Sequence, residues 1–256
     1  MTKHCLMAET IENRAITGEV FQLVLQAPAI AAAAQPGQFV MLRLSEFSDP
    51  LLRRPFSLAG ADPQAGTVSI LYRIVGRGTG HLAGIKPGTG LDVVGPLGKG
   101  FDLSGQRLLL VGGGMGLAPL LFAAQALCPR PLEVLAGGRT GAELFWTELF
   151  RGSCDKVSVT TDDGSLGTRG TCVDLLPDLL ATGRFDGVLT CGPRPMLRRV
   201  AECAGAFKVP CQVSLEEFMA CGVGACLSCT CDGKSGDPLQ VCKDGPVFRA
   251  EEVNLA

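Results

Sequence analysis

The run Leu108-Leu-Leu-Val-Gly-Gly-Gly-Met-Gly-Leu-Ala-Pro-Leu-Leu-Phe-Ala-Ala-Gln-Ala-Leu127 holds twenty residues without a charge. That length could span a bilayer. The consecutive glycines Gly112, Gly113 and Gly114, followed by Gly116 and Pro119, suit a spanning helix poorly. A buried strand over 108–111, a glycine turn and a packed helix over 116–128 explain the run better, in a soluble protein. Working outward, strand-like and helix-like stretches alternate. Strands are expected at 132–136, 157–160 and 188–191, with helices at 141–150, 173–180 and 195–204 and a last strand at 212–215. Such alternation argues for a parallel sheet covered on both faces.

The character differs on either side of this region. Before Arg107, short apolar or alternating stretches at 20–25, 38–44, 55–59, 67–75 and 91–94 are separated by Gly and Pro, the pattern of a small antiparallel barrel. After Leu215 the periodicity stops. Five cysteines interleaved with glycines make the remainder too irregular for a hydrophobic mini-core, so something other than burial is expected to hold it, most economically a metal cluster. The expected organisation is multidomain, β followed by α/β: a barrel over 1–102, a parallel α/β domain over 103–212 and a small C-terminal segment over 213–256.

Composition narrows the classes. Hydrophobic residues make up 46%, enough for a sizeable core, and the net charge of −2 comes with no basic run, which sets a nucleic-acid partner aside. No N-terminal stretch has the order of a secretion signal. Twelve cysteines would suit a secreted disulfide scaffold, but those chains are short and carry such a signal. Cysteines scattered through apolar segments behave as small buried hydrophobes, so a reducing, cytoplasmic compartment is expected.

The sequence Cys221-Gly-Val-Gly-Ala-Cys226-Leu-Ser-Cys229 has the spacing C-x4-C-x2-C, with Cys242 beyond it. Plant-type 2Fe-2S ferredoxins use this spacing with a distant fourth thiolate. A tight loop must wrap the cluster and aim its sulfurs inward, and Gly222 and Gly224 let the backbone turn. A tetrahedral zinc site is the rival, but zinc sites pair C-x2-C with C-x2-C. Cys231 could replace Cys229, although the spacing favours Cys229.

Nucleotide signals lie elsewhere. Gly112, Gly113, Gly114, Met115 and Gly116 join a strand to a helix, where backbone N–H groups and the helix dipole favour a diphosphate. The element Cys191-Gly192-Pro-Arg-Pro-Met196 follows the fourth strand, again at the carboxyl end where open α/β sheets bind ligands. In the barrel, Arg53-Arg54-Pro55-Phe56-Ser57 offers a bidentate phosphate donor in Arg54 and a hydrogen-bonding hydroxyl in Ser57. Gly76-Arg-Gly78-Thr79-Gly80 is a second glycine loop before a short helical stretch at 81–85. Nothing in the sequence gives His81 a catalytic partner. Each signal has a bland reading alone: a packing turn, a buried thiol, a solvated arginine pair.

In combination and in this order, these elements resemble the ferredoxin–NADP+ reductase superfamily across about residues 8–205. With the cysteine segment and the run Val241-Cys-Lys-Asp-Gly-Pro-Val-Phe248, the resemblance narrows to the family of electron-transfer subunits of NAD-dependent (class 1B) dihydroorotate dehydrogenases. The resemblance implies FAD contacts from Arg54, Pro55, Phe56, Ser57, Leu71, Tyr72, Arg73, Gly78 and Thr79. It implies NAD(H) against Gly112, Gly113, Gly114, Met115 and Gly116 and near Cys191 and Gly192. It gives the cluster ligands as Cys221, Cys226, Cys229 and Cys242, the last resting mainly on the Val-Cys-Lys-Asp-Gly-Pro motif. It also implies an FMN-containing dihydroorotate dehydrogenase catalytic subunit as partner, in a heterotetramer of two plus two serving pyrimidine (UMP) biosynthesis.

Nicotinamide exchanges two electrons at once and a 2Fe-2S cluster one, while a flavin handles either, so no side-chain acid or base is required. Related FAD/2Fe-2S subunits of ferredoxin:NADP+ oxidoreductases, sulfide dehydrogenases or hydrogenases share these features. A zinc-stabilised, non-redox nucleotide-binding regulator is the rival from another class. The cofactor choice is divided: Gly137-Gly-Arg139 after the second strand leans towards NADP, the resemblance towards NAD.

Overall fold

The computed structural model describes residues 2–44 and 51–256. Strands β1 (His4–Ala15), β2 (Val20–Gln26), β3 (Phe39–Leu42), β4 (Arg54–Asp62), β5 (Thr67–Arg73) and β6 (Gly90–Leu97) close an antiparallel barrel in the order β1-β2-β5-β4-β3-β6. Alternating side chains such as Leu23, Leu25, Val68, Ile70 and Val93 fill its interior. Two short helices, α1 (Pro28–Ala33) and α2 (Arg77–Ala83), accompany it. The sequence expectation lacks β1. Its inward face carries only the small Ala8 and Thr10 as fully buried residues, too weak a contrast to register as a strand period.

A second sheet contains β7 (Leu108–Gly113), β8 (Leu132–Gly138), β9 (Lys156–Thr161), β10 (Thr168–Arg169), β11 (Gly187–Cys191), β12 (Cys211–Ser214) and, past a β13–β14 hairpin (Thr230–Asp232 and Pro238–Gln240), β15 (Val247–Arg249). Its order is β10-β9-β8-β7-β11-β12-β15, parallel except for β15 at the edge. Helix α3 (Leu117–Leu127) packs on Leu108, Leu110, Leu132 and Val134 on one face. Helices α5 (Cys172–Ala181) and α6 (Arg194–Ala206) cover Leu109, Val111, Leu135 and Val188 on the other.

The other side of α3 rests on the barrel. Phe122 joins the barrel core, and a Cβ on Gly60 of β4 would sit 2.9 Å from Gln125 Oε1. A helix buried on both sides needs apolar residues all round, which accounts for the charge-free run. Among the described residues, no helix is long and apolar enough to cross a membrane.

Two expectations need correction. The helix expected over 141–150 is a one-turn 3-10 helix, Gly141–Glu143, followed by α4 (Trp146–Leu149). Leu144, Trp146 and Phe150 are all buried, and residues two apart cannot share a helical face, so the chain bends to bury them. The C-terminal segment, for its part, does use burial. Val241, Phe248, Val253 and Leu255 join the core beneath α5 and α6, and β15 hydrogen-bonds to β12.

Candidate functional site

Consecutive arginines at the start of β4 point their chemistry in different directions. Arg53 forms an ion pair with Asp92 on β6, whereas Arg54 is exposed and donates to the Leu52 carbonyl at 2.9 Å. Arg54, Pro55, Phe56 and Ser57 line one cavity of about 800 Å³, together with Leu71, Tyr72 and Arg73 from β5 and Gly78 and Thr79 from α2. The Thr79 hydroxyl accepts N–H bonds from Val75 (2.9 Å) and Gly76 (3.2 Å), fixing the loop that enters α2. Tyr72 packs edge-on to Phe56 at 6.0 Å and donates to Asn13 Oδ1 at 2.9 Å. Burial pushes its phenol up to about 12, so it remains a donor at neutral pH.

This cavity fits a flavin dinucleotide by its chemistry. Arg73 Nε is buried without a hydrogen-bond partner, the kind of orphaned donor that an anionic or carbonyl-bearing ligand satisfies. Aromatic and aliphatic side chains supply the flat apolar wall that a ring system needs.

A second cavity, about 540 Å³, opens at the carboxyl ends of β7, β8, β9 and β11. Gly113, Gly114, Met115, Gly116 and Gly192 line it. Gly112 and Cys191 stand behind that wall. A Cβ on Gly112 would strike Leu117 and Leu120, and one on Gly116 would overlap the Cys191 carbonyl, so these positions bring helix and strand together. Cys191 is buried, and desolvation with the nearby Glu216 carboxylate raises its thiol far out of the titrating range.

The two cavities share a wall formed by Arg73, Met115 and Glu216. Burial raises the Glu216 carboxyl above its ordinary value. Sequence reasoning missed Glu216, and also Glu143, Asp162, Thr171 and Arg199, which line the second cavity. These residues carry no local motif. Only the carboxyl-end rule for α/β sheets could have flagged Asp162, which directly follows β9.

The cysteine loop lies against the barrel. Gly222 (φ +69°) and Gly224 (φ +87°) adopt backbone conformations that L side chains rarely reach, and a Cβ on Gly222 would meet Met41 Cγ of β3 at 2.6 Å. The amides of Val223 and Ala225 donate to Cys221 Sγ at 3.4 and 3.3 Å, and that of Cys242 donates to Cys229 Sγ at 3.4 Å. Leu227 is also left-handed (φ 62°), a strained geometry for a bulky residue, beside the exposed Cys226.

The thiols fall into two pairs. Cys226 interacts with Cys221, and Cys242 with Cys229. Ser228 Oγ lies 3.1 Å from Cys226 Sγ and, with Cys221, draws that thiol down to about 6, while burial and then Cys229 push Cys242 up to about 12. Among the described residues, no three His, Cys, Asp or Glu side chains converge on a point as one ion requires. Two thiol pairs with amide N–H groups aimed at sulfur are the donor set of a binuclear iron–sulfur cluster. Cys231 sits on β13 opposite Leu239, buried in the core. Met219 and Phe218, just ahead of Cys221, form part of the flavin cavity wall, so loop and cavity adjoin.

Known proteins match this layout. The family model "Oxidoreductase FAD-binding domain" matches residues 8–101, and "Iron-sulfur cluster binding domain of dihydroorotate dehydrogenase B" matches 216–254. The dihydroorotate dehydrogenase B (NAD(+)) electron transfer subunit of Bacillus caldolyticus is 44% identical over 251 residues, 95% of this chain and 96% of the relative. That of Geobacillus kaustophilus is 43% identical with the same coverage. Among solved structures, a chain of the NADH-dependent reduced ferredoxin-NADP oxidoreductase superposes with a TM-score of 0.86 at 34% identity, covering 98% of this chain and 90% of that one. A ferredoxin NADP+ reductase from Neisseria gonorrhoeae shares the fold, with a TM-score of 0.66 at 15% identity over 79% of this chain and 91% of that one.

Proposed function

The chain belongs to the family of dihydroorotate dehydrogenase B electron transfer subunits, and on that premise we propose that it passes electrons from a dihydroorotate-oxidising, FMN-containing partner subunit to NAD+. The cofactors that serve this are a 2Fe-2S cluster on Cys221, Cys226, Cys229 and Cys242 and FAD in the barrel cavity. The setting is the cytoplasm, the pathway de novo pyrimidine biosynthesis and the assembly a heterotetramer of two chains of each kind.

The observation that carries this reading is the shared wall at Arg73, Met115 and Glu216, with the cysteine loop adjoining the flavin cavity through Phe218 and Met219. When bound, FAD exchanges two electrons with nicotinamide and single electrons with an iron–sulfur cluster. The chain's own residues bind and align. Arg54 and the α2 loop take the flavin's diphosphate, the Gly113–Gly116 turn takes that of the dinucleotide, and Gly192 leaves room for the nicotinamide. Glu216 shapes the junction, with buried Cys191 behind it, without a required proton transfer.

A cluster at the surface needs a partner. Phe218 is 92% exposed and Leu227 64%, both beside the loop that carries Cys226, the exposed ligand. Apolar side chains standing in water around a redox site suit a subunit interface. Co-purification with the FMN subunit tests the assignment: the complex should reduce NAD+ with dihydroorotate. A complex that instead couples NADH to ferredoxin and NADP+ would favour the rival reading, which the likeness to the ferredoxin-NADP oxidoreductase structure keeps in play.

A further inference from the structure

We infer that Glu143 and Asp162 set the nucleotide preference of the second cavity, admitting a free ribose 2′-hydroxyl and rejecting a 2′-phosphate. The inference rests on reading that cavity as the dinucleotide site. Arg139 directly follows β8, the strand next to the glycine turn, a place from which an arginine can hold the 2′-phosphate of NADP. A guanidinium does this best when no carboxylate already holds it.

Glu143 already takes up two of the five N–H donors of Arg139 and balances its charge. Arg139 Nε donates to Glu143 Oε1 at 2.8 Å, a terminal N–H donates to the same oxygen, and the Arg139 backbone N–H donates to Oε2 at 2.9 Å. The Glu143 side chain is 18% exposed and that of Arg139 75%, so the carboxylate is the inner member of the pair and the arginine leans outward.

Asp162 reinforces the bias. It follows β9, and its backbone N–H donates to the Gly138 carbonyl at 3.1 Å, which sets it beside Arg139. It lines the cavity and, among the described residues, forms no ion pair. The cation on the opposite rim, Arg199, lies 3.4 Å from Asp174 and is likewise engaged. Arg73 belongs to the wall shared with the flavin cavity. A 2′-phosphate, carrying close to two negative charges at neutral pH, therefore meets two carboxylates, while the guanidinium groups of Arg139 and Arg199 are each already paired with an acid.

The test is calorimetric titration of the flavin-loaded full chain with ADP-ribose and with 2′-phospho-ADP-ribose, neither of which undergoes redox chemistry. The wild type should bind ADP-ribose at least about tenfold more tightly, and the gap should narrow as salt is raised, since like-charge repulsion is screened. Glu143→Gln and Asp162→Asn keep the shapes and remove the charges. Together they should bring the two affinities within ~3-fold, chiefly by tightening the phosphorylated ligand.

Equal wild-type affinities, a salt-insensitive gap, or a double variant with the wild-type ratio would each overturn the inference while the nucleotide site stands. If neither ligand binds the wild type, the reading of the cavity falls and the inference falls with it. The wild-type ratio and its salt response need no variant, so a double variant that failed to fold would leave the inference exposed to refutation.

Discussion

In the parallel sheet, Leu109, Val111, Leu135, Val188 and Val213 are wholly buried beneath α5 and α6, while between Leu215 and β13 the chain leaves Phe218, Val223 and Leu227 in the open. The sheet is held by apolar area removed from water. The cysteine loop buries little of its own side-chain surface, carries a left-handed leucine, and directs amide N–H groups at sulfur. Regions of one chain can thus be organised by different forces, burial in one and ligation in the other. The strand β15, which follows the loop and pairs with β12, is where they join.

Substitutions can break or sharpen this contrast. The largest effect is expected from Cys229→Ala, which removes a buried thiol proposed as a cluster ligand. Iron content should fall to near zero and the cluster's share of the visible absorbance should vanish, leaving the flavin bands, while the far-ultraviolet dichroism of the sheet persists. Loss of both together would show that the loop is no separate unit.

Next is Phe248→Ala in β15, whose ring is buried against the sheet core. It should cost about 3–5 kcal/mol in chemical denaturation, as other deletions of buried phenylalanines do. A cost below ~1 kcal/mol would show that burial contributes little to the C-terminal segment.

Gly116→Ala forces a methyl group into the Cys191 carbonyl. It should cost about 1–3 kcal/mol and weaken ADP-ribose binding while leaving the iron content intact, which separates the sheet's ligand site from the loop's.

The smallest effect concerns Glu216, whose carboxyl is raised by burial above its ordinary 4.5. Folded, it holds a proton that the unfolded chain gives up earlier as pH rises. Its stabilising contribution is therefore complete below 4.5 and is lost as pH climbs through the folded value. Glu216→Gln should flatten that decline in denaturation curves taken across the acid range. An unchanged slope would mean that the surrounding protein does not desolvate the carboxyl in solution.

Much of the architecture was legible in the sequence because its signals are local. The alternation in β2 and β5, the buried run of β7, the glycine turn and the cysteine spacing each span a few residues. What escaped depended on distant partners. Strand β1 is recognisable only from its pairing with β2 and β6, since Ala8 and Thr10 give it a small buried face. The Val241–Leu255 stretch reads as irregular until α5 and α6 supply the surface that covers it. Arg139 suggested a phosphate site because Glu143, four residues on, was expected to continue a helix instead of turning back onto it.

The central claim is that this chain joins the two-electron chemistry of nicotinamide to the one-electron chemistry of a cluster. An anaerobic titration of the purified chain with NADH, followed by visible absorbance and electron paramagnetic resonance, tests it most directly. The account predicts bleaching of the flavin bands together with a rhombic signal from a reduced 2Fe-2S cluster, in a sample containing iron and acid-labile sulfide in equal amounts. A flavin that bleaches while no cluster signal appears, or a sample that holds zinc in place of iron, would contradict it.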